Sequence, residues 1–353
     1  MRVVVTGATG NVGIAVLDAL AAEPEVTSIA GLARRRPDRE KAGVEWVSAD
    51  VRHSDLETLF RGADVVIHLA WSFQPTRQPL ETWRTNVGGT ERVLEAVAAA
   101  GVPALIYASS IGAYSPATGD DPVDETWPTE GWPGASYMVE KAYVERLLDL
   151  FEHRHGECRV VRMRPAFLFQ DASASEQRRL FAGPFVPNRL FRTGPLPLLP
   201  YPRRLRFQTL HTTDVGRAYA AAVVRDVHGA FNLAADPVLD RAEVERTLGV
   251  RTVAVPQRTV RTAVAAAWHL HLVPANPGLF DALLHLPVMS TRRARAELDW
   301  TPRIAATDTL RQFLDAFRRG AGGPTPSLAA EAGGTARHRE ISSGIGARDP
   351  VDE

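Results

Sequence analysis

Met1-Arg2-Val3-Val4-Val5-Thr6-Gly7-Ala8-Thr9-Gly10-Asn11-Val12-Gly13 decides the fold. An apolar, β-branched run ends at a turn carrying three glycines, and the turn opens into an Ala/Leu-rich stretch with helical spacing. That context gives the glycines separate tasks. Gly7 allows the tight turn, Gly10 lets the backbone approach a pyrophosphate, and Gly13 lets the helix pack closely on the strand. Thr9, Asn11 and Val12 complete the turn, and the helix start offers free N–H groups and partial positive charge to phosphate.

Outward from this turn, short β-branched runs alternate with helical stretches. Strands are expected at 3–6, 28–33, 45–48, 65–69 and 104–108, and helices at 12–22, 55–60 and 80–100. Alternation of this kind specifies an α/β fold with a doubly wound parallel sheet. A long helix at 137–153 and a strand at 158–163 complete a dinucleotide-binding core over residues 1–165. Residues 166–319 read as a smaller, irregular substrate lobe. Its 171–208 stretch is Pro- and Arg-rich without periodicity, and a helix at 213–224 and a strand at 230–233 return to the core. Helical stretches at 260–271 and 292–298 follow. From Gly320 onward the Gly/Ala/Ser composition predicts a disordered, dispensable tail.

Composition narrows the function classes. The 353 residues carry no net charge and 45% hydrophobic residues, so no global field draws the chain to nucleic acid or an acidic membrane surface. Cys158 is the single cysteine and excludes an internal disulfide. No apolar run is long enough for a membrane span, and the first residues run straight into the turn without a signal peptide's cleavage region, which predicts a cytoplasmic location. The histidines lack zinc-site spacing, so no metal is expected. A small-molecule substrate is the expected partner, and a homodimer is the assembly left open.

Two further stretches bear on the cofactor. Ala49-Asp50-Val51 follows the third strand, where Asp50 suits an adenine amino group. At the usual position of a ribose-binding carboxylate the chain reads Arg34-Arg35-Arg36 instead. Guanidinium forks match a phosphate, so Arg34 and Arg35 point to NADP, with NAD as the alternative.

Tyr137 and Lys141 stand four apart, on one face of a helix. An ammonium beside a phenol favours the phenolate, which suits Tyr137 to proton transfer with an alcohol/ketone pair. Ser109-Ser110 ends the fifth strand, at the edge where open parallel sheets bind ligands. Either hydroxyl there can hold the same substrate oxygen.

Together, Thr6 to Gly13, Asp50-Val51, His68-Leu69-Ala70, Asn86-Val87-Gly88-Gly89-Thr90, Tyr107 to Tyr114, the Tyr137/Lys141 pair and Arg164-Pro165 resemble the extended short-chain dehydrogenase/reductase family. This family includes nucleotide-sugar epimerases and dehydratases, and steroid and flavonoid reductases. The likeness covers roughly residues 1–315. It implies Ser110, rather than Ser109, as the catalytic serine, Tyr137 as acid/base, Lys141 as its tuner and a ribose contact, and Asn86 as a helper. By the same likeness His68, Leu69 and Ala70 line the cofactor, and Thr213-Asp214-Val215 resembles the family's late structural motif.

Departures from the family pattern restrict the activity. Ile111-Gly112 follows Ser110 where dehydratases carry Asp-Glu. Pro200-Tyr201-Pro202-Arg203-Arg204 stands where nucleotide-sugar enzymes have Gly-Asp-Gly, and Gln170 replaces a glycine. Trp71 and Phe73 add apolar surface on the substrate side. The expectation is an NAD(P)-dependent oxidoreductase or epimerase acting at a secondary alcohol or ketone, with a non-catalytic dinucleotide-sensing regulator as the alternative.

Overall fold

The computed structural model describes residues 1–38, 40–117, 119, 121–185 and 199–352. Its strands are β1 (Arg2–Thr6), β2 (Ser28–Ala33), β3 (Val44–Ser48), β4 (Val65–His68), β5 (Ala104–Ala108), β6 (Arg159–Pro165), β7 (Phe167–Phe169), β8 (Leu199–Pro202), β9 (Thr209–His211), β10 (Gly229–Leu233) and β11 (Thr252–Val255). Seven of them form one sheet in the order β3-β2-β1-β4-β5-β6-β10, and every pairing is parallel. The order reverses between β1 and β4. That opens a crevice at the carboxyl ends of these strands, directly above the glycine turn.

Helices cover both faces: α1 (Asn11–Ala21), α2 (Leu56–Phe60), α3 (Pro79–Trp83), α4 (Gly89–Ala99), α5 (Ser136–Arg154), α6 (Ala174–Gln177), α7 (Thr212–Val224), α8 (Arg241–Leu248), α9 (Gln257–His269), α10 (Pro277–Leu283), α11 (Arg292–Glu297), α12 (Ala306–Arg319) and α13 (His338–Ser342). One core joins α1 and α7 to the sheet through Val16, Leu17, Leu20, Tyr219 and Phe231. The other packs α2, α4 and α5 through Phe60, Val93, Val97, Val144 and Leu148. Buried Asp214, in the late motif, accepts hydrogen bonds from the backbone N–H groups of Arg303 and Ile304, at 2.9 and 3.0 Å. It thereby fastens the chain ahead of α12 to α7.

Three differences from the sequence expectation have physical causes. The stretch 80–100 is helical as far as Ala99 but not one α-helix: residues Arg84–Gly88 form a π turn between α3 and α4. π turns recur at functional sites, and this one contains Asn86. The lobe contains β7, β8, β9, β11, α6, α8, α10 and α12 beyond the elements expected. Its short strands pair across long separations, so local periodicity carried no trace of them; the centre of the Pro/Arg-rich stretch, 186–198, lies outside the described residues.

The tail is the third difference. Instead of being disordered, it folds back with Leu328 fully buried and Thr325, Glu340 and Ile345 under a tenth exposed. What holds it is polar. Arg178 Nη1 donates to Glu340 Oε2 at 2.9 Å, and Arg179 Nη2 donates to the Ser327 carbonyl at 2.6 Å. Composition weighed only the tail's apolar content, and the donors that order it lie more than 140 residues earlier.

Gly216 of α7 marks the closest helix contact. A Cβ there would run into the carbonyl of Ala15 on α1. Gly216→Ala is therefore expected to cost about 1–3 kcal/mol of stability by forcing α1 and α7 apart, read by urea unfolding. A midpoint unchanged within error would show that the two helices have slack.

Candidate active site

At the sheet's switch point the glycine turn forms the floor of a cavity of about 570 Å³. Gly7 has φ +68°, and a Cβ on it would sit 2.7 Å from the Ala70 nitrogen. A Cβ on Gly13 would sit 2.5 Å from the Gly7 and Ala8 carbonyls, whereas one on Gly10 would meet only the Gly7 oxygen at 3.4 Å. Gly7 and Gly13 thus serve close packing, and Gly10 keeps an open approach. α1 begins at this approach with Gly10 as its N-cap and no side-chain cap, so its first N–H groups face the cavity without a side-chain acceptor. The residues present fit a dinucleotide pyrophosphate.

Tyr137 and Lys141 lie on α5 along the opposite wall. Ser110 and Tyr137 both flank Gly112 and line the cavity, and burial pushes the Tyr137 phenol up to about 12 although the Ser110 hydroxyl pulls the other way. Ser109 turns away, donating to Glu145 Oε1 at 2.5 Å. Lys141 is 3% exposed. Its ammonium donates to the Ala108 carbonyl at 2.6 Å and to the Tyr107 hydroxyl at 3.2 Å, and rests 3.4 Å from the centre of the Trp71 ring. From the Tyr137 ring centre it is 6.0 Å away.

The expected lowering of the Tyr137 pKa by Lys141 is therefore corrected. Desolvation raises the phenol and drives the lysine well below its ordinary value, because burial penalises both charged forms and the ammonium is directed at other partners.

Asn86 is also placed differently from a group at the reacting atoms. It is fully buried, outside the cavity lining. Its side chain accepts from Ser72 N at 2.7 Å and donates to Ser72 O at 2.8 Å and Glu140 Oε2 at 2.7 Å. It clamps the segment after β4 to α5. Leu69, Ala70, Trp71 and Phe73 on that segment all line the cavity. Phe73 stacks on Tyr137 with ring centres 4.5 Å apart, and Trp71 meets Tyr137 edge-on at 5.9 Å. Thr9, Arg34, Arg35, Asp50 and Val51 do not line this cavity. Arg34 and Arg35 are exposed at the carboxyl end of β2, Asp50 accepts from Arg52 N at 2.8 Å in its own turn, and Val51 packs in the core.

Sequence reasoning missed several residues that shape the site. Phe167, Phe169, Phe181, Leu279, Phe280 and Leu283 give the substrate side an apolar wall. Glu176 also lines it, its carboxyl raised to about 7 by burial, with Arg179 opposing the shift. Gln170 Nε2 donates to the Asn11 carbonyl at 3.0 Å and its Oδ1 at 2.8 Å, tying the lobe to the glycine turn. Glu145, buried on α5 and held at about 2, is bonded by Arg164 through both carboxylate oxygens at 2.9 Å and by Arg162 at 3.0 Å. The spacing Tyr137, Lys141, Glu145 was a signal for it, since all three share one helix face.

This geometry defines a dinucleotide-binding enzyme fold, and comparison with known proteins makes the class specific. The model of the NAD dependent epimerase/dehydratase family matches residues 3–234, and the chain belongs to that family. It is 34% identical over 166 residues to L-arabinose 1-dehydrogenase (NAD(P)(+)) of Haloferax volcanii, covering 44% of this chain and 63% of that protein. It is 31% identical over 173 residues to a 4-hydroxy-2-methyl-3-oxo-4-farnesyl-3,4-dihydroquinoline-1-oxide ketoreductase of Stigmatella aurantiaca, covering 48% and 51%. Both matches span less than two thirds of the relative's own length. The fold matches that of the Thermus thermophilus UDP-glucose 4-epimerase solved with NAD, with a TM-score of 0.66, 22% identity, and coverage of 90% of this chain and 99% of that one.

His68 gives a stability test. Its Nδ1 pairs with Thr6 Oγ1 at 2.7 Å and its Nε2 with Thr90 Oγ1 at 3.0 Å, and burial, with Lys141 adding, lowers its pKa from 6.5 to about 3. The folded state thus stays unprotonated where the unfolded state takes a proton, so stability falls as pH drops below 6.5. Relative to His68→Gln, the wild type should lose about 1.4 kcal/mol per pH unit below that point. Parallel stability–pH curves for the two proteins would contradict a neutral buried His68.

Proposed function

We propose that this protein is a nicotinamide-dinucleotide oxidoreductase that interconverts a ketone and a secondary alcohol on an apolar compound, using Ser110, Tyr137 and Lys141. The carrying observation is that Ser110, Tyr137 and the buried Lys141 ammonium one helical turn on line the same cavity as a glycine turn that fits a dinucleotide. The dinucleotide supplies or takes the hydride. Ser110 and Tyr137 hold the substrate oxygen between two hydroxyls. With its pKa near 12, Tyr137 is protonated at neutral pH and serves as proton donor in reduction. Lys141 supplies the positive charge that favours the phenolate left behind and a donor for a ribose hydroxyl. Asn86 acts through Ser72 and Glu140 as a positioning residue.

Several observations support an apolar substrate. The phenyl and leucyl wall faces Tyr137, and Lys141 is the one cation among the described cavity-lining residues. Arg203, Arg204 and Arg206, which would suit a nucleotide diphosphate, are not in that lining. The Stigmatella relative is named for a farnesyl-bearing ketone. A dinucleotide sensor is the second reading, favoured by the ammonium being directed at Ala108 and Trp71 rather than at Tyr137.

Turnover decides between them. With apolar cyclic and aryl ketones, Tyr137→Phe and Lys141→Arg should each lose about 10²-fold or more in kcat while still binding cofactor, and the double variant should be little worse than either, because the pair acts as a unit. Wild-type kcat in both single variants on a turned-over ketone would remove the proposed roles. A cofactor-binding protein that turns over no ketone would favour the sensor.

For the cofactor, Arg34 and Arg35 are proposed to hold the extra phosphate of NADP. Replacing both with alanine should weaken NADP by at least about tenfold and leave NAD unchanged, as read by fluorescence titration. Wild-type binding of NAD as tight as NADP would overturn this.

A further inference from the structure

The segment after α12 lies across the glycine turn. The hydroxyls of Thr325 and Ser327 both donate to the carbonyl of Thr9, each at 2.7 Å. From the substrate lobe, Arg179 donates to the carbonyls of Ser327 at 2.6 Å and Ala329 at 3.2 Å. Neighbouring Arg178 forms a buried pair with Glu340. Farther on, the segment reaches the loop after β4, where Arg77 N donates to the Gly346 carbonyl at 2.7 Å and Arg77 Nε to the Ile345 carbonyl at 2.8 Å. One stretch of chain is therefore pinned to three separate parts of the cavity's surroundings: the dinucleotide turn, a second π turn after α6 at Arg178–Ala182, and the loop that carries Trp71 and Phe73.

These contacts are specific in kind. Thr9 belongs to the turn whose next residues, Gly10 to Gly13, line the cavity, so the segment is anchored one residue from the open approach to the first turn of α1. Thr325 is 4% exposed and Leu328 is 0% exposed, which marks a seated segment and not one brushing the surface. A Cβ on Gly323 would contact the Leu328 side chain and, at 3.2 Å, Ala172 of the lobe, so the chain passes here with little room to spare.

We propose that residues 325–347 brace the dinucleotide turn from outside the cavity and so set how firmly the turn holds the cofactor between turnovers. The inference rests on the dinucleotide reading above. It assigns Thr325 and Ser327 as positioning residues that seat the segment on the turn, and Arg178, Arg179 and Arg77 as its anchors. A turn held through Thr9 keeps its N–H groups in place around the pyrophosphate, so exchange is slower than it would be from an unbraced turn. Retention of this kind suits an enzyme that reuses one cofactor molecule as well as one that exchanges it slowly.

The test is dinucleotide release. Full-length protein loaded with NADPH, and separately with NADH, is chased with excess oxidised dinucleotide while the fluorescence of the reduced form is followed. Thr325→Val/Ser327→Ala keeps the shape of the segment and removes both bonds to Thr9; it should release the dinucleotide about tenfold faster, the scale of two lost hydrogen bonds. A chain ending at Gly322 should release it at least as fast. Release unchanged in the double variant would overturn the brace and leave the dinucleotide reading intact. A full-length chain that binds neither dinucleotide would overturn both.

Discussion

The site depends on one buried carboxylate. Glu145 is fully buried on α5, and its two oxygens take bonds from Arg164, Arg162 and the Ser109 hydroxyl. A carboxylate in that position would be expelled or protonated without such partners; with them it is held at about 2. The consequence is geometric. Arg162 and Arg164 belong to β6 and Ser109 follows β5, so the carboxylate fixes the rotation of α5 about its axis against two strands. Lys141 and Tyr137 lie one and two turns earlier on the same face, and that rotation aims them into the crevice.

Lys141 shows how closely the surroundings are matched to one ammonium. It has a carbonyl, a hydroxyl and an indole face as partners, which offset part of its desolvation, and a cation over an indole contributes most when water is excluded. Asn86 keeps that indole in place through Ser72, and the π turn is what orients Asn86 toward both Ser72 and Glu140. The glycine turn, the segment after β4 and α5 therefore behave as one unit, and the tail adds a fourth element from the outside.

Much of this unit was legible in the sequence because it is local. The strand–glycine turn–helix, the Tyr137/Lys141 spacing and the hydroxyls after β5 are short patterns with a direct physical reading, and the sheet that supports them follows from the alternation of β-branched and Ala/Leu-rich runs. What escaped was long-range. Phe181 and Phe280 are aromatic residues in stretches without usable periodicity, and only the folded chain shows that they share a wall. The order of the tail was illegible for the same reason, since it comes from Arg77, Arg178 and Arg179 finding carbonyls and a carboxylate far along the chain. The Tyr137 pKa was misjudged because spacing shows that two groups share a face but not where the ammonium's own bonds point.

In the proposed reaction a hydride passes between a dinucleotide on the glycine turn and a carbon whose oxygen lies between Ser110 and Tyr137. Deuteride transfer tests it most directly. Reduced dinucleotide labelled with deuterium at the nicotinamide C4 is incubated with an apolar ketone, and the alcohol is examined by NMR. Deuterium is expected at the carbinol carbon with a single configuration for the wild type, and no labelled product above background for Tyr137→Phe. Unlabelled alcohol, or equal labelling by both proteins, would contradict it.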